Sequence, residues 1–380
     1  MKKIKVLLVS LLKPIDDPRM YGKLGRTLRR LPHTEIHLCG FAAPLPADQE
    51  GMFFHPLFFF RRLSAGRFLA QTRYLRFLHR LRPDLIIVCT HELLLPSLLY
   101  KGLTGARVVY DVQENYGLNL RSQEVYPAGI RVLLAFTVRQ AERLSSSFVD
   151  HYLLAEKSYV RELPFVRKKY SVLENKVYVL VPPSVKRNIR LQLRQKPLRL
   201  LYSGSISRLY GVFEAVELGR RLRELHPGVE ITIIGYCSQP QELAELRHIL
   251  ADKPYITLIG GDQLVPHADI LACIEAADMG LLPYRPHPST FSCIPTKLFE
   301  YLAYTLPFLI QPNPTWEPLV HRHQAGLFID FAEPDPAALL RQLEHTSFYP
   351  AGAPAEAFWE TEAPKLLAAI KEVLQGQREN

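Results

Sequence analysis

The sequence predicts an α/β protein built from two Rossmann-like, doubly wound domains. Its 380 residues are more than one ordinary core accommodates and suit two domains. Apolar runs alternate with helix-like segments along both halves, which is typical of βαβ units and parallel sheets. The net charge also differs in sign between the two halves of the chain. Residues 1–200 hold 34 Lys and Arg against 15 Asp and Glu (+19), whereas residues 201–380 hold 13 against 22 (−9). The halves therefore differ in the surface they offer to partners.

The apolar runs of the first half are nearly continuous rather than alternating, which predicts strands buried on both faces. The first run leads into Pro14 and two aspartates, so a strand is expected there rather than a signal peptide. Predicted strands are Ile4–Val9, Glu35–Phe41, Leu85–Cys89, Arg107–Asp111 and Tyr152–Leu154, and predicted helices are Arg19–Leu31, Arg67–Leu81, Leu93–Leu103, Ala128–Leu144 and Glu156–Lys168.

The second half repeats the same alternation more regularly. Predicted strands are Leu198–Tyr202, Glu230–Ile234, Ile256–Ile259, Met279–Leu282, Phe308–Ile310 and Leu327–Ile329, and predicted helices are Val212–Leu225, Pro240–Leu250, Ala268–Ala276 and Thr296–Tyr304.

A proline-rich, basic segment without periodicity separates the halves and predicts an interdomain linker. We therefore expect a first domain over 1–180, a linker over 181–197 and a second domain over 198–352. The remaining residues, 353–380, are expected to form a C-terminal helix that packs back on the first domain.

Several classes of site are disfavoured by the sequence. Five scattered cysteines without a Cys-x-x-Cys pair argue against a disulfide framework or a zinc site and fit a reducing cytoplasm. The chain has no Asp-x-Asp pair, no GxGxxG fingerprint and no phosphate-binding P-loop motif. No apolar run approaches the ~20 residues of a membrane-spanning helix. We expect a cytoplasmic protein, in reach of the inner membrane surface, with no metal and no cofactor.

The segment 201–211 (LYSGSISRLYG) places a loop of small residues between a buried strand and a helix. Parallel sheets bind ligands at the carboxyl ends of their strands, where helix N-termini attract anions. Gly204 and Gly211 allow close backbone approach, and Arg208 could neutralise a diphosphate. An ordinary tight turn would explain the same residues.

The segment 295–307 (PTKLFEYLAYTLP) predicts a helix that begins near Pro295, with Thr296 as a cap or a phosphate-binding hydroxyl. Lys297 in the first turn opposes the helix dipole unless an anion lies there. Glu300, one turn later, could hold the hydroxyls of a ribose. A Glu that merely complements the dipole and pairs with Lys297 is the alternative.

In this order the segments of 198–330 resemble the donor half of GT-B glycosyltransferases, specifically the retaining family 4 type. The resemblance rests on YSGSISRLYG, ITIIGYCSQPQEL, AADMGLLPY, PTKLFEYLAYTLPFL and AGLFID. It implies two Rossmann-like domains facing a cleft, with a nucleotide-diphosphate sugar as donor substrate. The implied donor-binding residues are Gly204, Ser205, Arg208, Gly211, Gly235, Tyr236, Ser292, Thr296, Lys297 and Glu300.

The first half resembles the acceptor domain of that family more loosely, through IDDPRMYGKLGRTLRRL, THELLLPSLL and VVYDVQENY. The resemblance implies that His91 contacts the donor sugar. Asp16, Asp17, Asp111 and Glu114 lie near predicted strand ends, and any of them could hold the acceptor hydroxyl. Asp17, Asp111 and Glu114 join His91 as candidate catalytic residues.

The chain departs from the family pattern at three positions. The family has two glutamates separated by seven residues; Glu300 matches the second, but Ser292 occupies the first. Ser205 and Tyr210 replace the usual Arg and Lys of the glycine loop. The pyrophosphate charge would then be met by Arg208 and Lys297.

The acceptor implied by the resemblance is a lipid-linked intermediate or a glycan. Aromatic residues and arginines mix over 53–63 and along 67–81, which favours contact with an anionic membrane surface; a core helix with a solvated basic face is the alternative. A nucleotide-sugar 2-epimerase of the same fold and an inactive nucleotide-sugar-binding protein also remain open. No motif supports nucleic-acid binding.

Overall fold

The computed structural model describes residues 3–46, 49, 51–60, 64, 66–122, 127–166, 169–179, 183–184, 186–193 and 195–376. The chain divides into two compact units, one of Met1–Tyr178 with Trp359–Asn380 and one of Val179–Phe358. Each unit contains one sheet of parallel strands with helices between them, as the predicted fold class requires.

The first sheet has seven strands in the order β3-β2-β1-β4-β5-β6-β7. Its strands are β1 (Ile4–Pro14), β2 (Thr34–Phe41), β3 (Phe53–Phe58), β4 (Leu85–Val88), β5 (Arg107–Val112), β6 (His151–Leu154) and β7 (Tyr170–Val172). Strand order reverses between β1 and β4, which is where open α/β sheets form their ligand crevice.

The helices of the first unit connect these strands in sequence. A π-helix (Pro18–Gly25) is followed by α1 (Arg26–Leu28), α2 (Gly66–Leu81), α3 (Leu94–Thr104), α4 (Tyr116–Ser122), α5 (Ala128–Ser145) and α6 (Tyr159–Glu162).

The second sheet has six strands in the order β10-β9-β8-β11-β12-β13, the same arrangement as the first six strands of the other sheet. Its elements are β8 (Leu198–Ser203), α7 (Val212–Leu225), β9 (Val229–Tyr236), α8 (Pro240–Leu250), β10 (Ile256–Gly261), α9 (His267–Ala276), β11 (Met279–Leu282), α10 (Thr296–Ala303), β12 (Phe308–Ile310), α11 (Glu317–His323), β13 (Gly326–Phe328) and α12 (Pro336–His345).

The last helix, α13 (Ala363–Gln375), belongs to the first unit. Its buried residues Leu366 and Ile370 join a core cluster that includes Val6 and Leu8 of β1. Trp359, fully buried, donates its indole N–H to the hydroxyl of Thr27 at 2.8 Å. The end of the described chain is thus part of the core that covers one face of the first sheet.

The structure departs from several predicted elements. Strands β3 and β7 and helices α4, α11 and α12 are additional to the predicted ones. The helix predicted over Glu156–Lys168 is limited to α6, where Leu163 ends it and Pro164 follows; Lys168 lies outside the described residues. Residues 61–63 of the predicted aromatic stretch and residues 181, 182, 185 and 194 of the predicted linker also lie outside them.

Candidate functional site

The strand order of the second sheet reverses between β8 and β11, and two glycines bring the loops after these strands together. Gly204, directly after β8, has φ +92°, and Gly211, before α7, has φ +75°. A Cβ on Gly211 would overlap the carbonyl oxygen of Pro283, which follows β11. Gly235, at the end of β9, faces the carbonyl of Gly204 just as closely. The loops after these strands therefore pack backbone against backbone at these glycines.

Helix α10 is buried along its length from Lys297 to Ala303 and is fixed against this crevice. The hydroxyl of Tyr301 lies 3.0 Å from the hydroxyl of Ser203 at the end of β8. The Tyr301 ring fills the space that a side chain on Gly280 of β11 would take. These contacts direct the first turn of α10 toward Gly204.

Lys297 extends from that first turn over Gly204, where its Cε would meet any Cβ on the glycine. Its Nζ lies 4.6 Å from the ring centre of Tyr202, 5.3 Å from that of Tyr284 and 5.7 Å from that of Tyr210. We call these three rings and Lys297 the tyrosine cage.

The ammonium of Lys297 has no hydrogen-bond or ion-pair partner among the residues that the structure describes. Burial lowers its pKa to about 7, although the nearby charge of Glu300 opposes the shift. The aromatic rings favour the charged form of this buried amine, but no described residue accepts a hydrogen bond from it. The amine can therefore bind an anion.

Glu300 lies one turn after Lys297 and is 7% exposed. Its carboxylate accepts a hydrogen bond from Nε2 of His267 at 2.8 Å. His267 is the first residue of α9 and is partly exposed. No motif in the sequence marks His267, a histidine at a helix start; its contact with Glu300 in the folded protein identifies it.

Arg208 has a different environment from the one predicted. Its guanidinium pairs with Glu245 of α8, at 2.6 Å, and lies over the ring of Phe213 at 4.3 Å. Its backbone N–H donates to Glu242 at 2.9 Å. The predicted diphosphate cation is therefore already paired on the surface, whereas Lys297 is not.

The other predicted donor-side residues lie around the crevice. Ser205 is exposed, and its carbonyl accepts a hydrogen bond from the Tyr202 hydroxyl at 2.8 Å. Tyr236, at the end of β9, is 40% exposed. Thr296 is the first residue of α10.

Ser292 is half-buried in the loop before α10. This loop is anchored on both sides of the serine. Asn313 donates its amide to the carbonyl of Phe291 at 2.9 Å, and Trp316 donates its indole N–H to the carbonyl of Cys293 at 2.8 Å. The backbone on both sides of Ser292 is therefore held in place.

In the first unit, His91 follows β4 at the switch point of its sheet. Its ring lies 4.6 Å from that of Tyr116, and its Nδ1 is buried without a hydrogen-bond partner among the described residues. Burial lowers the pKa of the His91 imidazole; the carboxylate of Glu92 opposes this shift and Arg67 adds to it. The imidazole is therefore neutral near pH 7, and its Nδ1 has no hydrogen-bond partner among the described residues.

The predicted first-unit carboxylates differ in their surroundings. Asp111, 0% exposed, is held by the guanidinium of Arg19 at 2.7 to 3.2 Å and by the amide of Gln113 at 2.8 Å. Asp17 accepts hydrogen bonds from the backbone N–H groups of Arg19 and Met20 and so caps the π-helix. Both aspartates are therefore engaged in contacts that stabilise the first unit.

Glu114 is exposed, and its carboxylate accepts a hydrogen bond from Asn119 at 3.1 Å. Asp16 is also exposed, so these two of the predicted first-unit carboxylates lie at the surface. Both therefore remain accessible to a molecule in solution.

Among the described residues, no group of three or more His, Cys, Asp or Glu side chains could hold a metal ion. None of the helices within the described ranges is long and apolar enough to cross a membrane.

No protein-family model and no curated protein matches the sequence. Solved structures do match over nearly the whole chain. Sucrose-phosphate synthase from Thermosynechococcus elongatus has a TM-score of 0.67 at 13% identity, covering 98% of this chain and 100% of that one. HepE from Anabaena, in complex with UDP-glucose, has a TM-score of 0.67 at 13% identity, covering 97% and 100%. A UDP-N-acetylglucosamine 2-epimerase has a TM-score of 0.57 at 13% identity, covering 100% and 98%.

At these identities the matches show the fold alone. The chain has two Rossmann-like α/β domains of the GT-B kind, which confirms the predicted fold class. Its structural neighbours include glycosyltransferases and nucleotide-sugar 2-epimerases.

Proposed function

We propose that the chain is a glycosyltransferase that uses a nucleoside diphosphate sugar, and that the tyrosine cage binds the diphosphate. The observation that carries the proposal is the unpartnered ammonium of Lys297 above Gly204, at the switch point of the second sheet. An anion there would gain a charge-assisted hydrogen bond and restore the charged form of a lysine that burial disfavours.

Glu300 completes the donor site in this proposal by accepting hydrogen bonds from ribose hydroxyls, while His267 holds its carboxylate in place. The carboxylate has two oxygens, and His267 contacts one of them. The Tyr210 ring stands where the family has a lysine, so the cation reaches the diphosphate from α10 instead. Glu300 then binds the donor and takes no part in bond breaking.

The reaction breaks the bond between the anomeric carbon and the β-phosphate oxygen and forms one to an acceptor hydroxyl. Lys297 and the N-terminus of α10 stabilise the charge that develops on the leaving diphosphate. We propose attack from the same face as the leaving group, with the acceptor proton passing to the departing phosphate oxygen, so the anomeric configuration is retained. Metal-independent transfer is proposed because the sequence has no Asp-x-Asp pair.

The resemblance to family 4 supports a lipid-linked or glycan acceptor and a role in cell-surface polysaccharide synthesis. His91, with its buried and unpartnered Nδ1, is proposed to contact the transferred sugar. Glu114 and Asp16, both exposed at the surface, are the remaining candidates for contact with the acceptor hydroxyl.

Thermal-shift titration with UDP-, GDP- and TDP-sugars tests the donor site. One nucleotide sugar is expected to raise the melting temperature of the wild type, and Lys297→Met and Glu300→Ala are expected to abolish the rise. Lys253→Met serves as the matched control, since Lys253 is a partly buried lysine of the same unit that is paired with Asp252. Arg208→Met is expected to weaken binding less than Lys297→Met, because Arg208 is paired. If no nucleotide sugar stabilises the wild type, the proposal is wrong.

A 2-epimerase is the second candidate, because one such enzyme shares the fold over the whole chain. One experiment distinguishes the epimerase activity from the transferase activity. A 2-epimerase interconverts UDP-N-acetylhexosamine epimers without an acceptor, which proton NMR of the sugar detects. A transferase instead releases the nucleoside diphosphate only when an acceptor is present. Binding without either reaction would identify an inactive nucleotide-sugar-binding protein.

A further inference from the structure

The helices α2, α3 and α5 of the first unit expose an unusual amount of apolar surface. Ten large apolar side chains are exposed on these three helices, whereas the described part of the whole second unit exposes four. Single exposed apolar residues are ordinary, but a cluster on neighbouring helices indicates a contact surface.

Helix α3 carries the clearest part of this surface. Leu95, Leu99 and Leu103 follow each other at intervals of four residues, so they share one face of the helix. Their exposed fractions are 64%, 55% and 76%. The opposite face is buried through Ser97 and Tyr100. Packing of α3 on the sheet therefore leaves Leu95, Leu99 and Leu103 exposed, and we call these three residues the leucine stripe.

Helix α5 continues the surface beside α3. It exposes Ile130, Val132, Leu133 and Phe136, each between 49% and 62%. Helix α3 connects β4 to β5, and α5 lies in the connection from β5 to β6, so right-handed crossovers place both on one face of the sheet. The two helices are in contact. We call these four residues and the leucine stripe the α3–α5 ridge.

Helix α2 gives this face its charge. Its composition favours an interfacial helix or, alternatively, a core helix with a solvated basic face, and its Ala70, Tyr74 and Leu78 are buried in the core. Its exposed side presents Arg73, Arg76 and Arg80 together with Phe68 and Leu69.

Together α2, α3 and α5 contain eight Lys and Arg and a single carboxylate. That carboxylate, Glu142, is 2% exposed and accepts a hydrogen bond from Tyr110 at 3.0 Å. The surface is therefore apolar along the α3–α5 ridge, basic at its flank, and without an exposed acidic side chain on these helices.

We propose that the α3–α5 ridge docks on the surface of an anionic phospholipid bilayer. The apolar side chains would enter the boundary between headgroups and acyl chains, while the arginines of α2 would contact the phosphates. A second copy of the chain fits less well, since a symmetric contact brings the same basic helices together. The inference does not depend on the tyrosine cage or on the proposed function.

Co-sedimentation of the full chain with vesicles tests the proposal, comparing phosphatidylcholine alone with phosphatidylcholine containing phosphatidylglycerol. The wild type is expected to bind the anionic vesicles and to be released by salt. Leu99→Glu and Phe136→Glu are each expected to reduce binding by about tenfold or more, because a charge replaces a group that enters the apolar layer. Leu264→Glu, at a residue of the second unit that is 82% exposed, is the matched control and should bind like the wild type.

Circular dichroism of each variant shows whether it is folded, and Arg76→Glu with Arg80→Glu tests the charge separately without touching the ridge. Equal binding of wild type and ridge variants would overturn the proposal, and so would equal binding to neutral and anionic vesicles. Absence of vesicle binding together with a dimer that Leu99→Glu dissociates would show that the ridge binds a second copy instead. Nucleotide binding measured on the same variants should be unchanged, so this test is separate from that of the donor site.

Discussion

Arg19 in the first unit and Lys297 in the second are both buried cations near the carboxyl ends of strands, but only Arg19 has a partner. Arg19 is bound to Asp111 and to the carbonyl of Leu173, so its hydrogen-bonding groups are engaged within the scaffold. Lys297 is similarly buried but faces three aromatic rings and no acceptor among the described residues.

This difference distinguishes a charge that stabilises the folded protein from a charge that is available to bind a ligand. A buried ion pair is neutral as a whole, and removing one partner leaves the other desolvated and unpaired. A buried lysine without a partner instead costs stability in the folded protein, and the cost is recovered when an anion binds. A buried cation thus has opposite expected effects on stability in the two units.

Arg19→Ala is expected to have the largest effect, a loss of about 3–5 kcal/mol in the free energy of unfolding, since it leaves the Asp111 carboxylate buried and unpaired. Urea denaturation followed by circular dichroism measures it. Arg30→Ala is the control, because Arg30 pairs with Glu360 at the surface; its cost should stay below about 1 kcal/mol. Similar losses in both variants would show that burial does not distinguish the two pairs.

Lys297 is expected to make nucleotide affinity depend on pH. Its pKa is about 7 in the free protein, so the ammonium that the diphosphate needs is present below pH 7 and is lost above it. The affinity should therefore fall by up to about tenfold per pH unit above 7, until the pKa of the complex is reached. Isothermal titration calorimetry of a nucleotide sugar between pH 6 and 9 measures this. In Lys297→Arg, whose side chain stays charged, the pH dependence should disappear; an unchanged slope would assign it to another group.

The same lysine should affect stability with the opposite sign. The unfolded chain keeps the Lys297 proton up to the ordinary lysine pKa of 10.5, whereas the folded protein loses it near 7. Between these values the unfolded state binds more protons, so the stability of the wild type should rise with pH relative to Lys297→Met. Urea denaturation of both proteins at pH 6.5 and 9 compares them. A difference that does not change with pH would contradict the buried, unpartnered state of Lys297.

His267→Ala is expected to have the smallest effect, about a threefold to tenfold loss of affinity, the range of one ordinary hydrogen bond, because His267 acts on the nucleotide only through Glu300. The decisive measurement compares a nucleotide with its 2′,3′-dideoxy form. The wild type should prefer the ribose form, and the variant should lose most of that preference because Glu300 is no longer held. If the variant binds both forms more weakly by the same factor, His267 has only a general structural role.

The fold class is predictable from the sequence because strands buried on both faces of a parallel sheet give continuous apolar runs. Val212–Leu225, Pro240–Leu250 and Met279–Leu282 have the predicted bounds. Where the local signal is weak, prediction is incomplete: part of the aromatic stretch that favours membrane contact forms β3, and α12 has no predicted counterpart. Local periodicity reports burial on a face, but it does not show whether an aromatic run joins the edge of a sheet, as β3 does by pairing with β2.

The two sheets, the glycine loop, and the presence of Lys297 and Glu300 on one helix can all be recognised from the order of residues. The use of each charge, in contrast, depends on how the elements pack. Packing pairs Arg208 with Glu245 and Asp111 with Arg19. It also brings two distant segments to Lys297, one with Tyr202 and Tyr210 and one with Tyr284. The physical reason is that a charge's partners come from residues far apart in the chain, so no spacing along the sequence shows whether a buried charge is satisfied.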